Sequence, residues 1–184
     1  PRAYGGERSA RGPGDKDAPG PAVTALACCP HAKDLFLCGR EDGSVSLYHL
    51  DSEWPLVRYP SLLPGPTVGL GWAPHRPGLW WAHDSASRLV AMDLVTDIHA
   101  PALEADLGAL RSGPAEVTCV ALCPALTRPP GSKYADPALA VGFADGSAEL
   151  HALGDRFGAG TGHKGPAGPA AAWERCLESL TAFV

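Results

Sequence analysis

No stretch of the 184 residues approaches the roughly 20 apolar side chains that a helix needs to span a membrane, and no membrane insertion is expected. A basic excess is missing too. Fifteen Lys and Arg against twenty Asp and Glu leave a net charge of −5 and a pI near 5.8, which argues against nucleic acid or an anionic membrane surface as the main partner. The six cysteines include no Cys-x-x-Cys pair, and Gly-x-Ser-x-Gly, His-Glu-x-x-His and a phosphate-binding glycine loop are all absent. These gaps remove the usual signatures of zinc sites, serine hydrolases, metalloproteases and nucleotide binding. Cys28, Cys29, His31 and Cys38 form the tightest group of zinc-type ligands, but neighbours on a strand such as Cys28 and Cys29 point to opposite faces. The reading is therefore of no enzyme, no cofactor and no metal, with the cysteines as small buried hydrophobes of a reducing compartment.

What the chain does have is repetition. Cys28-Cys29-Pro30-His31, Trp72-Ala73-Pro74-His75 and Leu122-Cys123-Pro124-Ala125 each close an apolar run that starts seven residues before the proline, at Val23, Thr67 and Val117. Leu50 and Leu94 each follow their proline by 20 residues, and Leu153 follows its own by 29. The nine extra residues fall in the Pro/Gly-rich stretch from Thr127 to Ala135, so a protruding loop is expected over 128–136. The step is 44 residues between the first two copies and 50 to the third, and a period of 40 to 45 with several short strands per unit marks a β-propeller blade. The fold class is read as all-β, a partial WD-repeat propeller of three blades with a short C-terminal helix; a β-sandwich is the alternative.

Within each copy the strands follow from pattern and turn chemistry. Val23 to Cys28 is apolar on both sides, as an inner strand buried on both faces would be, and Pro30 lacks the N–H to continue a ladder. Leu35 to Gly39 makes the second strand. Asp42-Gly43-Ser44 is the hairpin turn, since Asp-Gly tolerates positive φ; Val45, Leu47 and Leu50 then point one way along the third strand, and Pro55 to Tyr59 forms an outer fourth. Asp145-Gly146-Ser147 repeats the turn, and Ser87 stands where Gly43 and Gly146 stand. Trp80 and Trp81 share a strand, so they face opposite ways and cannot fill the same core.

The organisation expected is a flexible linker at 1–20, three blades over 21–153 (about 21–63, 64–112 and 113–153), a Gly/Pro-rich linker at 154–169 and an amphipathic helix at 170–184. In that helix Trp173, Cys176, Leu177, Leu180 and Val184 fall at helical spacing. Propellers close with about four to eight blades, and the chain opens on Pro1, so it reads as the C-terminal part of a longer protein whose other blades lie upstream.

Surface recognition is the function class left standing. Loops between second and third strands share one rim of a propeller, and here they carry Arg40 and Asp42, Asp84 and Arg88, and Asp145. Charged groups from consecutive blades are suited to holding a helical partner through charge-assisted hydrogen bonds. Trp54 and Arg76 are the candidates on the opposite rim, because Trp and Arg are residue types that anchor interfaces.

Trp72-Ala73-Pro74-His75-Arg76-Pro77-Gly78-Leu79-Trp80 resembles the Trp-Ser-Pro-x-Arg-Pro-x-x-Phe segment of WD-repeat domains in dynein intermediate chains. Leu35 to Gly39 with Asp42 to Leu50 resembles the preceding repeat of those domains, and Ala140 to Leu153 and the Trp173 to Leu180 helix resemble their C-terminus, most of all in the dynein-2 class. Ala73 departs from the usual serine. The resemblance implies a non-catalytic scaffold subunit of a motor complex in cytoplasm and cilium, acting in retrograde intraflagellar transport. It implies the dynein heavy chain, a second intermediate chain and light chains as partners, with the propeller holding a helical segment of the heavy-chain tail. A WD-repeat adaptor of a membrane-traffic coat or ubiquitin ligase is the alternative.

Overall fold

The computed structural model describes residues 20–110, 116–123, 138–153 and 168–182. These form three antiparallel sheets and one helix. The first sheet is β1 (Val23–Cys28), β2 (Leu35–Arg40), β3 (Val45–His49) and β4 (Pro55–Tyr59), in that order. The second repeats it with β5 (Thr67–Trp72), β6 (Leu79–Asp84), β7 (Arg88–Asp93) and β8 (Asp97–Asp106). Among the described residues the third holds β9 (Val117–Cys123), β10 (Ala138–Phe143) and β11 (Ala148–Ala152). The helix α1 spans Gly168–Thr181 and so begins two residues before the expected start. The expected loop at 128–136 lies outside the described residues, as do nearly all of the two expected linkers.

The 44-residue period is written into the hydrogen bonds. Cys29 N donates to Leu35 O as Ala73 N does to Leu79 O, each at 2.9 Å. Leu50 N donates to Asp34 O at 2.8 Å and Leu94 N to Gly78 O at 3.0 Å. Leu63 N donates to Gly43 O and Leu107 N to Ser87 O, which docks each linker on the preceding hairpin. Leu63 and Leu107 are both fully buried there.

The hairpin turns adopt the backbone that their sequence demands. Gly43 and Gly146 have φ of +75° and +84°, and Ser87 takes +66° in the same place. Asp42 Oδ1 accepts from Ser44 N and Oγ, and Asp145 Oδ1 accepts from the corresponding atoms of Ser147. The second blade moves its acid two residues earlier, to Asp84, whose Oδ1 still accepts from Arg88 N, the counterpart of Ser44 N.

Two cores lie between the sheets. Leu37, Val45 and Leu47 of the first pack on Trp72, Trp80 and Met92 of the second, with Trp173 of α1 joining them. Trp81, Leu89 and Leu107 on the other face of the second sheet pack on Val120, Leu139 and Val141 of the third. The adjacent tryptophans thus fill different cores, and the alternation of a strand is the reason.

Glycines set how closely strands and blades approach. The first two strands of each blade hold a cross-strand pair in which a single member is glycine: Ala25 with Gly39 in the first, Gly69 with His83 and Gly71 with Trp81 in the second, and Cys119 with Gly142 in the third. A Cβ on Gly39 would meet Thr67 Cγ2 of the next blade at 2.6 Å, and one on Gly69 would overlap the His83 ring. Where the second blade places a histidine on its second strand, the first strand supplies the missing volume.

Two strand-level expectations need correcting. β1 is not buried on both faces: it is an edge strand, with Val23 53% and Leu26 65% exposed, and only Ala25 and Ala27 turn partly inward. Leu50 does not share the inward face of Val45 and Leu47, because β3 ends at His49 and the chain turns.

Gly78 seats the helix. Its φ is +83°, and a Cβ there would meet Val95 Cγ2 at 2.7 Å and the Trp173 ring at 3.2 Å. Gly78→Ala should cost about 1–2 kcal/mol from the left-handed backbone alone, and more as Trp173 is displaced. Urea denaturation gives the total, and faster amide exchange across α1 than across β6 reports the displacement. A variant as stable as the parent would contradict this packing.

Candidate protein-binding surface

The hairpins between second and third strands sit at one end of the sheets, tied there by the linkers: Gly65 N donates to Asp84 Oδ2 at 3.0 Å, and Val117 N donates to Ser87 Oγ at 3.3 Å. This is the rim singled out from the sequence. Asp42 and Asp145 are exposed on it, each with its carboxylate also holding its own turn. Arg88 is exposed and stands 4.0 Å from Asp106, an ion pair whose contribution to stability in water is small.

Arg40 and Asp84 lie inside the domain. Arg40 is 4% exposed, with its guanidinium donating to Ser46 Oγ at 3.3 Å and Tyr48 Oη at 3.2 Å. Asp84 is fully buried and accepts from three backbone N–H groups, those of Gly65, Ala86 and Arg88. A residue-by-residue reading of the rim could not separate these two from their exposed neighbours, because burial is decided by the linker and the facing strand.

At the other end stand the proline turns, the hairpins between third and fourth strands, and α1. Arg76 is buried, its Nη2 2.5 Å from Asp93 Oδ2. The same carboxylate accepts from Val95 N and Thr96 Oγ1, so it closes the hairpin while neutralising the guanidinium. Asp93 is the acid of the Trp-Asp position that only the middle copy keeps; the first has His49 there, and Ala32 where Arg76 stands. His31 and Trp72 act as ties between blades, with His31 Nε2 3.1 Å from Ala73 O and Trp72 Nε1 donating to Ala27 O at 3.1 Å. Trp54, in contrast, is 63% exposed.

The interior groups are tuned by burial. Among the described residues no group of three His, Cys, Asp or Glu side chains is placed to hold a metal ion. Burial pushes up the thiols of Cys29 and Cys176 and the phenol of Tyr59, which leaves them protonated and inert at neutral pH. Cys176 donates its thiol to Leu94 O at 3.3 Å.

Burial lowers the pKa of His83, although the backbone carbonyl and the carboxylate of Asp84 pull it the other way. A histidine whose folded pKa lies below its unfolded value of about 6.5 contributes fully above that value, and the contribution falls as pH drops toward the folded pKa. Stability should therefore decline between about pH 7 and pH 5 more steeply in the parent than in His83→Gln. Urea midpoints across that range check it. Parallel profiles would show that His83 does not titrate with folding.

No family model matches the chain. It is 34% identical over 93 residues, half of this chain, to cytoplasmic dynein 2 intermediate chain 1 of Mus musculus. It is 28% identical over 138 residues, or 74% of this chain, to cytoplasmic dynein 2 intermediate chain 1 of Homo sapiens. The matched segments span 8% and 12% of those proteins. These similarities support a relationship to dynein intermediate chains.

Proposed function

We propose that the chain supplies C-terminal propeller blades to a non-catalytic scaffold subunit of a dynein motor. Its blades bind the tail of the heavy chain, and the assembly works in retrograde intraflagellar transport in cytoplasm and cilium. The relationship to cytoplasmic dynein 2 intermediate chain 1 is the observation that carries this reading. A second intermediate chain and light chains complete the complex through parts of the protein outside these blades.

The rim of exposed Asp42, Arg88 and Asp145 supports the reading physically. Charges offered by three consecutive hairpins at fixed spacing match a partner with its own fixed charge pattern, and such complementarity sets register and encounter rate. Asp84 serves that surface from beneath by holding its hairpin and the Gly65 linker, and Arg40 braces β3 through Ser46 and Tyr48. The test is a triple reversal, Asp42→Arg, Arg88→Glu and Asp145→Arg, in the full-length protein. Recovery of heavy chain should fall severalfold and depend less on salt, with a fall in melting temperature no larger than that of Asp42→Ala with Asp145→Ala, which removes the same two turn acceptors. Unaltered recovery would remove this rim from the interface.

A further inference from the structure

We propose that the hairpin joining β3 to β4 is a docking seat for an amphipathic helix carrying a basic residue, a second instance of the seat that α1 fills on the neighbouring blade. The internal repeat carries the inference. On the second blade the hairpin between β7 and β8 presents Leu94, Val95 and Ile98, and α1 lays Cys176 and Leu180 against them. Arg175 lines the same groove, beside a hairpin that carries the exposed acid Asp97.

The first blade builds the equivalent hairpin. Leu50 occupies the place of Leu94, fixed by the same backbone hydrogen bond 44 residues earlier, yet it is 41% exposed where Leu94 is buried. Trp54 follows it by four residues, as Ile98 follows Leu94, and it stands out into solvent. Isolated exposed apolar residues are ordinary, but these two share one ordered turn. Ser52 Oγ donates to Trp54 O at 2.8 Å and accepts from Trp54 N at 3.2 Å, so the indole is presented on a fixed backbone. A preorganised tryptophan loses little entropy on being covered, and tryptophan is the residue type most enriched at binding hot spots.

Charge defines the partner. The hairpin carries exposed acids at Asp51 and Glu53, as the second blade carries Asp97. The helix that fits sets two apolar side chains one turn apart across Leu50 and Trp54, with an Arg or Lys beside them, as Arg175 sits beside Cys176 in α1. This seat lies on the rim opposite to Asp42, Arg88 and Asp145, and it does not depend on the dynein reading.

The probe is a fluorescein-labelled peptide of residues 168–182 with Trp173→Phe and Cys176→Ala, and a more basic version that also carries Glu174→Lys. Both are titrated against the full-length protein by anisotropy, with amide exchange on the 50–54 hairpin as the readout of place. The basic peptide should bind more tightly than the parent peptide and slow exchange at the hairpin. Trp54→Ala should weaken it at least tenfold, and Glu53→Lys should remove the advantage of the added lysine. Binding no better than that of a scrambled peptide would overturn the proposal. So would binding that survives Trp54→Ala, which would mean that the peptide displaces α1 instead.

Discussion

Replacing Trp80 with alanine should cost about 3–5 kcal/mol of stability, the range for deleting a fully buried aromatic side chain. Trp80 lies between the first two blades with no exposed surface, its ring centroid 5.3 Å from that of Tyr59, in the core shared with Leu37, Leu47 and Met92. Removing it opens a cavity at the junction of two sheets, neither of which can shift without breaking its ladders. Trp54→Ala is the control, because an exposed side chain away from the core should change stability by no more than about 0.5 kcal/mol. Urea denaturation of both variants decides the matter. Equal losses, or a larger loss at Trp54, would mean that the core does not lie where the structure places it.

Asp93→Ala should be nearly as damaging, at about 3–5 kcal/mol, because it removes the carboxylate that neutralises a buried guanidinium. Arg76 and Asp93 are both almost wholly covered, so water does not screen the loss. The carboxylate also closes the Val95 and Thr96 turn, and those donors lose their acceptor as well. The double variant Arg76→Met with Asp93→Leu should lose clearly less than the sum of the two single changes, since it removes both charges together. Strict additivity in that cycle would show that the two groups do not interact in the folded protein.

Such effects are local, and local order is what the sequence makes readable. The step from Leu50 to Leu94 is visible because one backbone hydrogen bond recurs with it, and the Asp-Gly-Ser turns are visible because only a few residues tolerate their φ. Adjacent tryptophans on one strand had to face two cores, and they do. What depends on a neighbour in space could not be read. Arg40 and Asp84 looked like rim charges until the facing strand and the linker were in place. Leu26 has the pattern of a buried residue because its strand carries apolar side chains on both faces, although the strand lies at an edge of its sheet. Leu50 carries the pattern of a core residue and the exposure of a surface one, and comparing the two blades brings the difference out.

The similarity to a dynein intermediate chain and the three-sheet fold motivate the proposal made above, that the protein is a motor subunit that holds the heavy chain. Affinity purification of the full-length protein from ciliated cells, with its partners identified by mass spectrometry, tests this most directly. The prediction is a dynein heavy chain in near-stoichiometric amount, retained at moderate salt. Recovery of coat or ubiquitin-ligase subunits with no dynein heavy chain would contradict it.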